Sequence, residues 1–319
     1  MMYIFIGLFL GGAGAWFMSR YAFSLGLVDF PNSRSSHTSP TPRGGGVGLL
    51  LAFFVVSVFL THASESLWLP ATFLALVSFF DDRLDLSPRA RLLFQLGAAA
   101  IMVLGAGVNE FSYLDLIFIP FWLLFIVGTA NFYNFMDGIN GIAGITGVVG
   151  FGLAAAFIRI VDADSTLFFL SLAMSAACAG FLPFNLPKAR VFMGDVGSIL
   201  LGFVFAGITF TLSNDLGSFL CFLAFMFPFY ADALSTLFVR WRDGEKLTQA
   251  HRCHLYQVLA NDCALPHWLV SCGYGFVQLV VGITMLWAWN RGLWNQLVVL
   301  ALCSVIFMGF TCWVRKKVS

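Results

Sequence analysis

Three short segments of the chain carry carboxylates, amides and glycines at spacings that suit a hard cation beside a phosphorylated ligand. Asp81 and Asp82 close an apolar run in Phe79-Phe80-Asp81-Asp82-Arg83. Adjacent carboxylates repel, so they persist where a cation, a proton or a catalytic task offsets the strain. A solvated helix end is the competing reading, although acids at a helix carboxyl end oppose the macrodipole. Asn131, Asn134 and Asp137 recur every three residues, so one helical turn presents them on a common face, and Gly138 and Gly141 leave the backbone beyond them open. A polar helix cap is the alternative there. Asp195 lies between Gly194 and Gly197 just ahead of an apolar run, where its carboxylate can reach a hard cation and the backbone can approach a diphosphate. It is the position expected for a Mg²⁺ ligand, with a simple N-cap role for Asp195 or Ser198 as the rival.

Basic and imidazole side chains stand in two further segments. The stretch Asp29 to Gly46 holds Arg34, His37 and Arg43 among Pro31, Pro40, Pro42 and Gly44-Gly45-Gly46. Proline and glycine forbid a regular helix, and free backbone N–H groups beside Arg and His make an anion-binding surface. A positively charged anchoring loop explains the same residues. Asp232 follows Pro228 near the end of an apolar stretch, an acid at a depth where a random one would be costly. The polar segment from Arg240 to His267 supplies His251, Arg252 and His254. Two histidines three apart can share a helix face, which fits diphosphate binding or a transition metal. Oxygen donors dominate the other segments, which favours a hard cation.

What positions these groups follows from composition. Hydrophobic residues make up 60% of the chain and charged residues 10%, far from the quarter charged that is usual in soluble domains. Mean hydropathy is +0.88, and a net charge of +1 gives no case for nucleic-acid binding. Eleven apolar runs approach the roughly 20 residues that a bilayer span needs. They are Met2–Met18, Val47–Leu60, Leu67–Phe79, Leu92–Val108, Leu116–Ala130, Ile142–Val161, Leu167–Phe184, Ile199–Leu212, Phe219–Val239, Trp268–Trp289 and Leu293–Val314. The second and third are short and would recruit Gly46 or Asp81 to reach full depth. Met1 to Leu10 has no Lys or Arg, so the first run reads as a retained helix rather than a cleaved signal, despite Ala13-Gly14-Ala15. The expected fold is an all-α polytopic membrane protein of one domain over 1–319, with site loops at about 20–46, 80–91, 131–141, 185–198 and 240–267.

Lysine and arginine gather in cytoplasmic loops. With Arg315-Lys316-Lys317 inside, alternation leaves only Arg159 and Arg291 of the 17 basic residues outside. The amino terminus is then external, the carboxyl terminus cytoplasmic, and the chemistry faces the cytoplasm. The 7 cysteines include no C-x-x-C pair, which argues against a disulfide framework or a zinc site. No internal repeat is evident. Gly7 and Gly11 have the spacing of an associating helix face, so a homodimer and packing within one chain both fit.

The order of these motifs resembles that of the polyprenyl-phosphate N-acetylhexosamine-1-phosphate transferases, the family that also holds phospho-N-acetylmuramoyl-pentapeptide transferase. The resemblance rests on Asp81-Asp82, Asn131-x-x-Asn134-x-x-Asp137-Gly138, Phe192-Met193-Gly194-Asp195-x-Gly197-Ser198 and the His251/His254 segment, and spans about Asp29 to Gln257. It implies an enzyme of a bacterial cytoplasmic membrane that moves an N-acetylhexosamine-1-phosphate from a UDP-sugar to undecaprenyl phosphate, releases UMP and needs Mg²⁺, with Mn²⁺ able to substitute. It further implies that Asp195 holds the metal, with Asn134 and Asp137 in the nucleotide and metal shell. Asp81 and Asp82 would orient or deprotonate the lipid phosphate, Arg34, His37 and Arg43 would neutralise phosphates, and His251, Arg252 and His254 would lie near the sugar diphosphate. Asn131 and Asp232 join them as expected substrate-binding residues. The peptidoglycan enzyme has a tighter histidine run than His251-x-x-His254-x-Tyr256-Gln257, so this chain looks like the branch that initiates O-antigen or other surface polysaccharides. Intramembrane carboxylates also mark secondary transporters and channels, which is the main alternative; an inactive lipid-binding scaffold is a third.

Overall fold

The computed structural model describes residues 1–31, 35–60, 65–84, 86–105, 113–245 and 252–318, without the side chains of 82–84 and 113–116. Helix makes up most of the described part of each of the eleven apolar runs. In chain order the helices are α1 (Met2–Tyr21), α2 (Val47–Phe59), α3 (Glu65–Leu84), α4 (Pro88–Gly105), α5 (Tyr113–Phe135), α6 (Ile142–Ile160), α7 (Ser165–Asn185), α8 (Asp195–Leu212), α9 (Leu216–Phe225), α10 (Phe227–Arg242), α11 (Leu255–Gln257), α12 (His267–Trp289) and α13 (Leu293–Val318). A π-helical turn over Val258–Asp262 continues α11. The only strands among the described residues are β1 (Val28–Asp29) and β2 (Thr41–Pro42), an antiparallel pair with Val28 opposite Pro42 that closes the base of the first loop.

The chain is a nearly all-helical, multi-pass membrane protein. Seven of the described helices are long and apolar enough to cross a membrane, and an eighth span results if the bent pair α9 and α10 counts as one. This falls short of the eleven expected, for a reason tied to the site. Helix α2 has only 13 residues, while α3 ends in Asp81, Asp82 and Arg83 and α4 begins with Arg89 and Arg91. The charges that dilute these two helices belong to the segments that carry the candidate chemistry.

The run Phe219–Val239, expected as a single helix, is broken. At Met226 the chain leaves helical geometry (φ −117°, ψ 21°), and α10 departs from α9 at 85° with Pro228 in its first turn. Proline suits a helix start, since it lacks the N–H that a continuing helix would need. The carbonyl of Phe225, orphaned by the break, accepts from Nε2 of Gln278 at 2.6 Å, and the same nitrogen donates to the carbonyl of Thr146 at 3.1 Å. In a membrane a broken helix is tolerated where side chains satisfy the freed backbone in this way. The break turns α10, with Asp232, toward the loops.

Helix α8 is the central element. Every residue from Val196 to Thr209 is buried, as expected of a helix apolar on all sides; it packs on α3 and α5. Helix α1 lies on α7, with Gly7, Gly11 and Gly14 on its buried face. A Cβ on Gly11 would run into the carbonyl oxygen of Ala177, and one on Gly7 into that of Ala173. This glycine spacing therefore serves close packing within the chain, not a homodimer face. Gly11→Leu is expected to destabilise the protein by about 1–3 kcal/mol through overpacking, read as a lower melting temperature in detergent. An unchanged melting temperature would refute the close approach of α1 and α7.

Candidate active site

The site begins at the amino end of α8. Gly194 precedes the helix at φ 74°, a backbone conformation that an L side chain rarely adopts. This lets the chain turn sharply and puts Asp195 in the first helical turn, where the positive end of the helix dipole favours a carboxylate. The expected cap hydrogen bond is absent. Instead, the Asn134 side chain hydrogen-bonds the Asp195 carboxylate, and Oδ1 of Asn134 accepts from the Ser198 hydroxyl at 2.8 Å. The amide of Asn134 is thus oriented by one neighbour and aimed at the other. The Asp195 side chain remains 29% exposed.

Beside Asp195 stands an ion pair that joins α3 to α4. Nε of Arg91 lies 2.6 Å from Oδ2 of Asp81, and Nη1 of Arg91 lies 3.9 Å from Oδ2 of Asp195. The buried Asp81 also accepts from the backbone N–H of Leu86 at 2.7 Å. Two donors therefore offset the unfavourable position of Asp81 at a helix carboxyl end. One turn along α4, Gln95 exchanges amide hydrogen bonds with Asn131, at 2.6 Å and 3.3 Å. These groups line a cavity of about 600 Å³ whose far wall is apolar, with Leu74, Val77, Leu92, Phe94, Ile199 and Leu237.

A second cavity of about 260 Å³ lies on the other side of Asp195 and is polar. It is lined by Asp29, Ser35, Ser36, His37, Arg43, Asp137 and Asn185, and shares Asn134, Asp195 and Gln257 with the first. The first loop reaches it by docking on the fourth: the N–H groups of Gly45 and Gly46 donate to the carbonyls of Phe192 and Met193, and Phe192 N–H donates to the carbonyl of Pro42. His37 packs edge-on against Phe192 at 4.9 Å. Asn185 ties the third loop to the fourth, accepting from Gly141 N–H at 2.6 Å and donating to the carbonyl of Val191 at 2.9 Å. The crowding of protein around Asp137 and the charge of Asp195 push the Asp137 carboxyl well above the usual carboxylate range.

His254 enters the first cavity from the last loop. Its ring stacks on Tyr256, and its Nδ1 stands 3.5 Å from Oδ1 of Asp232. The fully buried Asp232 accepts from the backbone N–H groups of Leu255 (2.8 Å) and Tyr256 (3.2 Å) and from the hydroxyls of Tyr274 (2.7 Å) and Thr236 (3.2 Å). Protein donors occupy the Asp232 carboxylate, which shapes the His254 segment, and Asp232 lines neither cavity. Tyr256 is also buried, which raises its phenol well above the ordinary range; it donates to the carbonyl of Phe135 at 2.9 Å and so ties this segment to the end of α5.

The profile of glycosyl transferase family 4 matches residues 64–213 of this chain, the stretch that carries Asp81, Arg91, Asn131, Asn134, Asp137 and Asp195. The chain is similar to this family over that stretch. Similar proteins include a Mycobacterium tuberculosis decaprenyl-phosphate N-acetylglucosaminephosphotransferase, 27% identical over 89% of this chain and 77% of its own length. An Escherichia coli undecaprenyl-phosphate alpha-N-acetylglucosaminyl 1-phosphate transferase is 31% identical over 63% of this chain and 58% of its own. A Staphylococcus epidermidis phospho-N-acetylmuramoyl-pentapeptide-transferase is 26% identical over 81% and 87%. The chain spans little more than half the length of the Escherichia coli relative, and 55% of a similar Bacillus subtilis protein.

Of the site residues expected from sequence, Asp81, Asn131, Asn134, Asp195 and His254 line the larger of these two cavities, and His37, Arg43, Asn134, Asp137 and Asp195 the polar one. Arg252 is exposed and lines neither. Arg34 and His251 lie outside the described residues, as does the side chain of Asp82. Arg91, Gln95 and Gln257 were not singled out by sequence reasoning, yet they line the cavities. A signal existed for two of them: Arg91 and Gln95 stand four apart, on one face of a helix. The resemblance implies Mg²⁺, and the donor set fits it. Among the described residues no three His, Cys, Asp or Glu side chains stand close enough to cage a metal. Mg²⁺ needs no such cage, since it is commonly held by one or two carboxylates, waters and substrate phosphates. The charge of Asp195 acts on the Asp137 carboxyl, so the two carboxylates are near neighbours.

Proposed function

We propose that this chain transfers an N-acetylhexosamine-1-phosphate from a UDP-sugar to undecaprenyl phosphate, releasing UMP. The observation that carries the reading is the position of Asp195 at the seam of two unlike cavities, one polar and one with an apolar wall. A nucleotide-sugar diphosphate suits the polar cavity, where Arg43 and His37 are available to its phosphates. A lipid phosphate suits the other, where Arg91 offers a cation and Leu74, Val77, Leu92 and Leu237 offer a surface to the first isoprene units. Both phosphates then meet at Asp195.

The reaction is a single displacement. An oxygen of the lipid phosphate attacks the sugar-bearing phosphorus, and the bond from that phosphorus to the UMP oxygen breaks. Such transfer depends on positioning and electrostatic stabilisation more than on covalent chemistry. Mg²⁺ held by Asp137 and Asp195 would spread the charge of the diphosphate. Asn134 orients Asp195; Asp81 holds Arg91 toward the acceptor; Gln95 and Asn131 fix one another beside it; Asp232 sets the His254 ring. Trapping a phospho-enzyme after mixing with UDP-sugar alone would overturn this direct route in favour of a two-step one through an aspartyl phosphate.

The basic residues of the loops favour a cytoplasmic orientation of these cavities in a bacterial inner membrane, with the amino terminus outside and the carboxyl terminus inside. This is also where a UDP-sugar is available. The product would initiate O-antigen or another cell-surface polysaccharide. The names of the relatives make UDP-N-acetylglucosamine the first donor to try. The test is to give the purified protein undecaprenyl phosphate, Mg²⁺ and a panel of UDP-N-acetylhexosamines, including the muramoyl-pentapeptide donor, and to measure UMP. We expect release with a simple UDP-N-acetylhexosamine, none without the lipid phosphate, loss on chelation, and recovery with Mg²⁺ or Mn²⁺. Silence across the panel would overturn the reading.

A further inference from the structure

Helix α13 ends in three consecutive basic residues, Arg315, Lys316 and Lys317. The rule for cytoplasmic charges explains all three as anchors and treats them alike. Their surroundings differ: Lys316 and Lys317 are exposed, whereas Arg315 is half-buried. Nη2 of Arg315 donates to the backbone carbonyl of Cys253 at 2.9 Å and to Oγ1 of Thr236 at 3.2 Å. The Thr236 hydroxyl in turn donates to Oδ1 of Asp232, which also accepts from Leu255 N–H. His254 therefore sits between two fixed neighbours, one tied to α13 and the other to α10. Most of α13 is not buried, and the exceptions, Gln296, Phe307, Thr311 and Val314, include two in the turn before Arg315.

We propose that Arg315 is a positioning residue that locks the His254 segment against α10, so that the last helix, outside the family-matched stretch 64–213, is a working part of the site. The kinetic consequence rests on the transferase reading; the mechanical one does not. Arginine suits the task because its rigid planar Nη2 aims two N–H groups at two acceptors, which a lysine ammonium on a flexible stem does less well.

The experiment compares wild type with Arg315→Gln, Arg315→Lys and Lys316→Gln, each purified in detergent. The first readout needs no substrate: the rate at which N-ethylmaleimide labels the half-buried Cys253, followed by mass spectrometry against the exposed Cys272. Release of the segment by local opening raises Cys253 labelling roughly tenfold in Arg315→Gln, leaves Lys316→Gln at the wild-type rate, and places Arg315→Lys between them. The second readout is UMP release. Arg315→Gln lowers kcat by roughly 10- to 100-fold with the KM for UDP-sugar little changed, the signature of misplaced rather than missing contacts. Should Arg315→Gln fail to accumulate, Arg315→Lys carries the same comparison. Equal Cys253 labelling in wild type and the Arg315 variants overturns the proposal, as does an equal kcat loss in Lys316→Gln. If the wild type releases no UMP, the transferase reading fails and the labelling alone decides.

Discussion

Asp195→Asn is expected to lower the rate of UMP release by about 10²- to 10³-fold, equivalent to about 2.7–4 kcal/mol of transition-state stabilisation. Asparagine has nearly the same shape, so the loss reports the charge. That charge sits at the amino end of α8 with Arg91 3.9 Å away and Asn134 bonded to it. Among the described residues it is also the one carboxylate that lines both cavities. Stability should hold or rise, because Asp195 and Asp137 are two crowded like charges and the variant removes one. Rate and melting temperature measured on the same detergent preparation separate the two effects. A variant that keeps the wild-type rate would remove Asp195 from the chemistry and leave the chain as a lipid-binding scaffold.

Asp232→Ala should give the largest loss of stability, about 3–5 kcal/mol, the usual cost of breaking a buried charged cluster by removing one partner. Its carboxylate is wholly buried and accepts from two backbone N–H groups at the start of α11 and from the hydroxyls of Tyr274 and Thr236. Without it the N–H groups of Leu255 and Tyr256 are buried with no acceptor, at about 1–3 kcal/mol for each such group. Asp232→Asn keeps the volume but sets an N–H₂ group against donors, so it should melt between the two and lose activity with the His254 segment. Thermal melting of the three proteins checks the order. If Asp232→Ala melts with wild type, Asp232 does not hold that segment, and a direct role in binding becomes the better account.

Three carboxylates of the two cavities lie at helix ends or in the turns beside them, Asp81 at the close of α3, Asp137 after α5 and Asp195 at the opening of α8, and a fourth, Asp29, ends β1. A transporter would need polar groups that continue toward the opposite face. The core of α8 beyond Asp195 is instead buried and apolar from Ile199 to Ile208. This arrangement weighs toward catalysis at one membrane face.

Much of this site was legible because it is written in local composition. Apolar runs of span length announce a membrane protein wherever they occur, since no alternative environment can solvate them. Acids and amides that interrupt such runs are costly, so Asp81, Asn134, Asp137 and Asp195 stood out against their surroundings. Residue type alone, however, says only that a polar group needs a partner. Asp232 stood out for the same reason and was read as a ligand contact, whereas its partners are the loop it holds, 23 and 24 residues away, and Tyr274, 42 residues away. Arg91 looked like one more cytoplasmic anchor until α3 and α4 brought it to Asp81.

The sequence by itself determined the class of environment, the segments that carry the chemistry and the side of the membrane that their charges favour, because hydropathy and charge act over a few residues. Only the tertiary structure decided which polar groups meet. It broke the run Phe219–Val239 at Met226, laid the first loop along the fourth, and paired Asn134 with Ser198 across 64 residues and Gln95 with Asn131 across 36. Hydrogen bonds and ion pairs are made within about 3–4 Å, and that proximity is set by how distant helices pack, which no local pattern encodes.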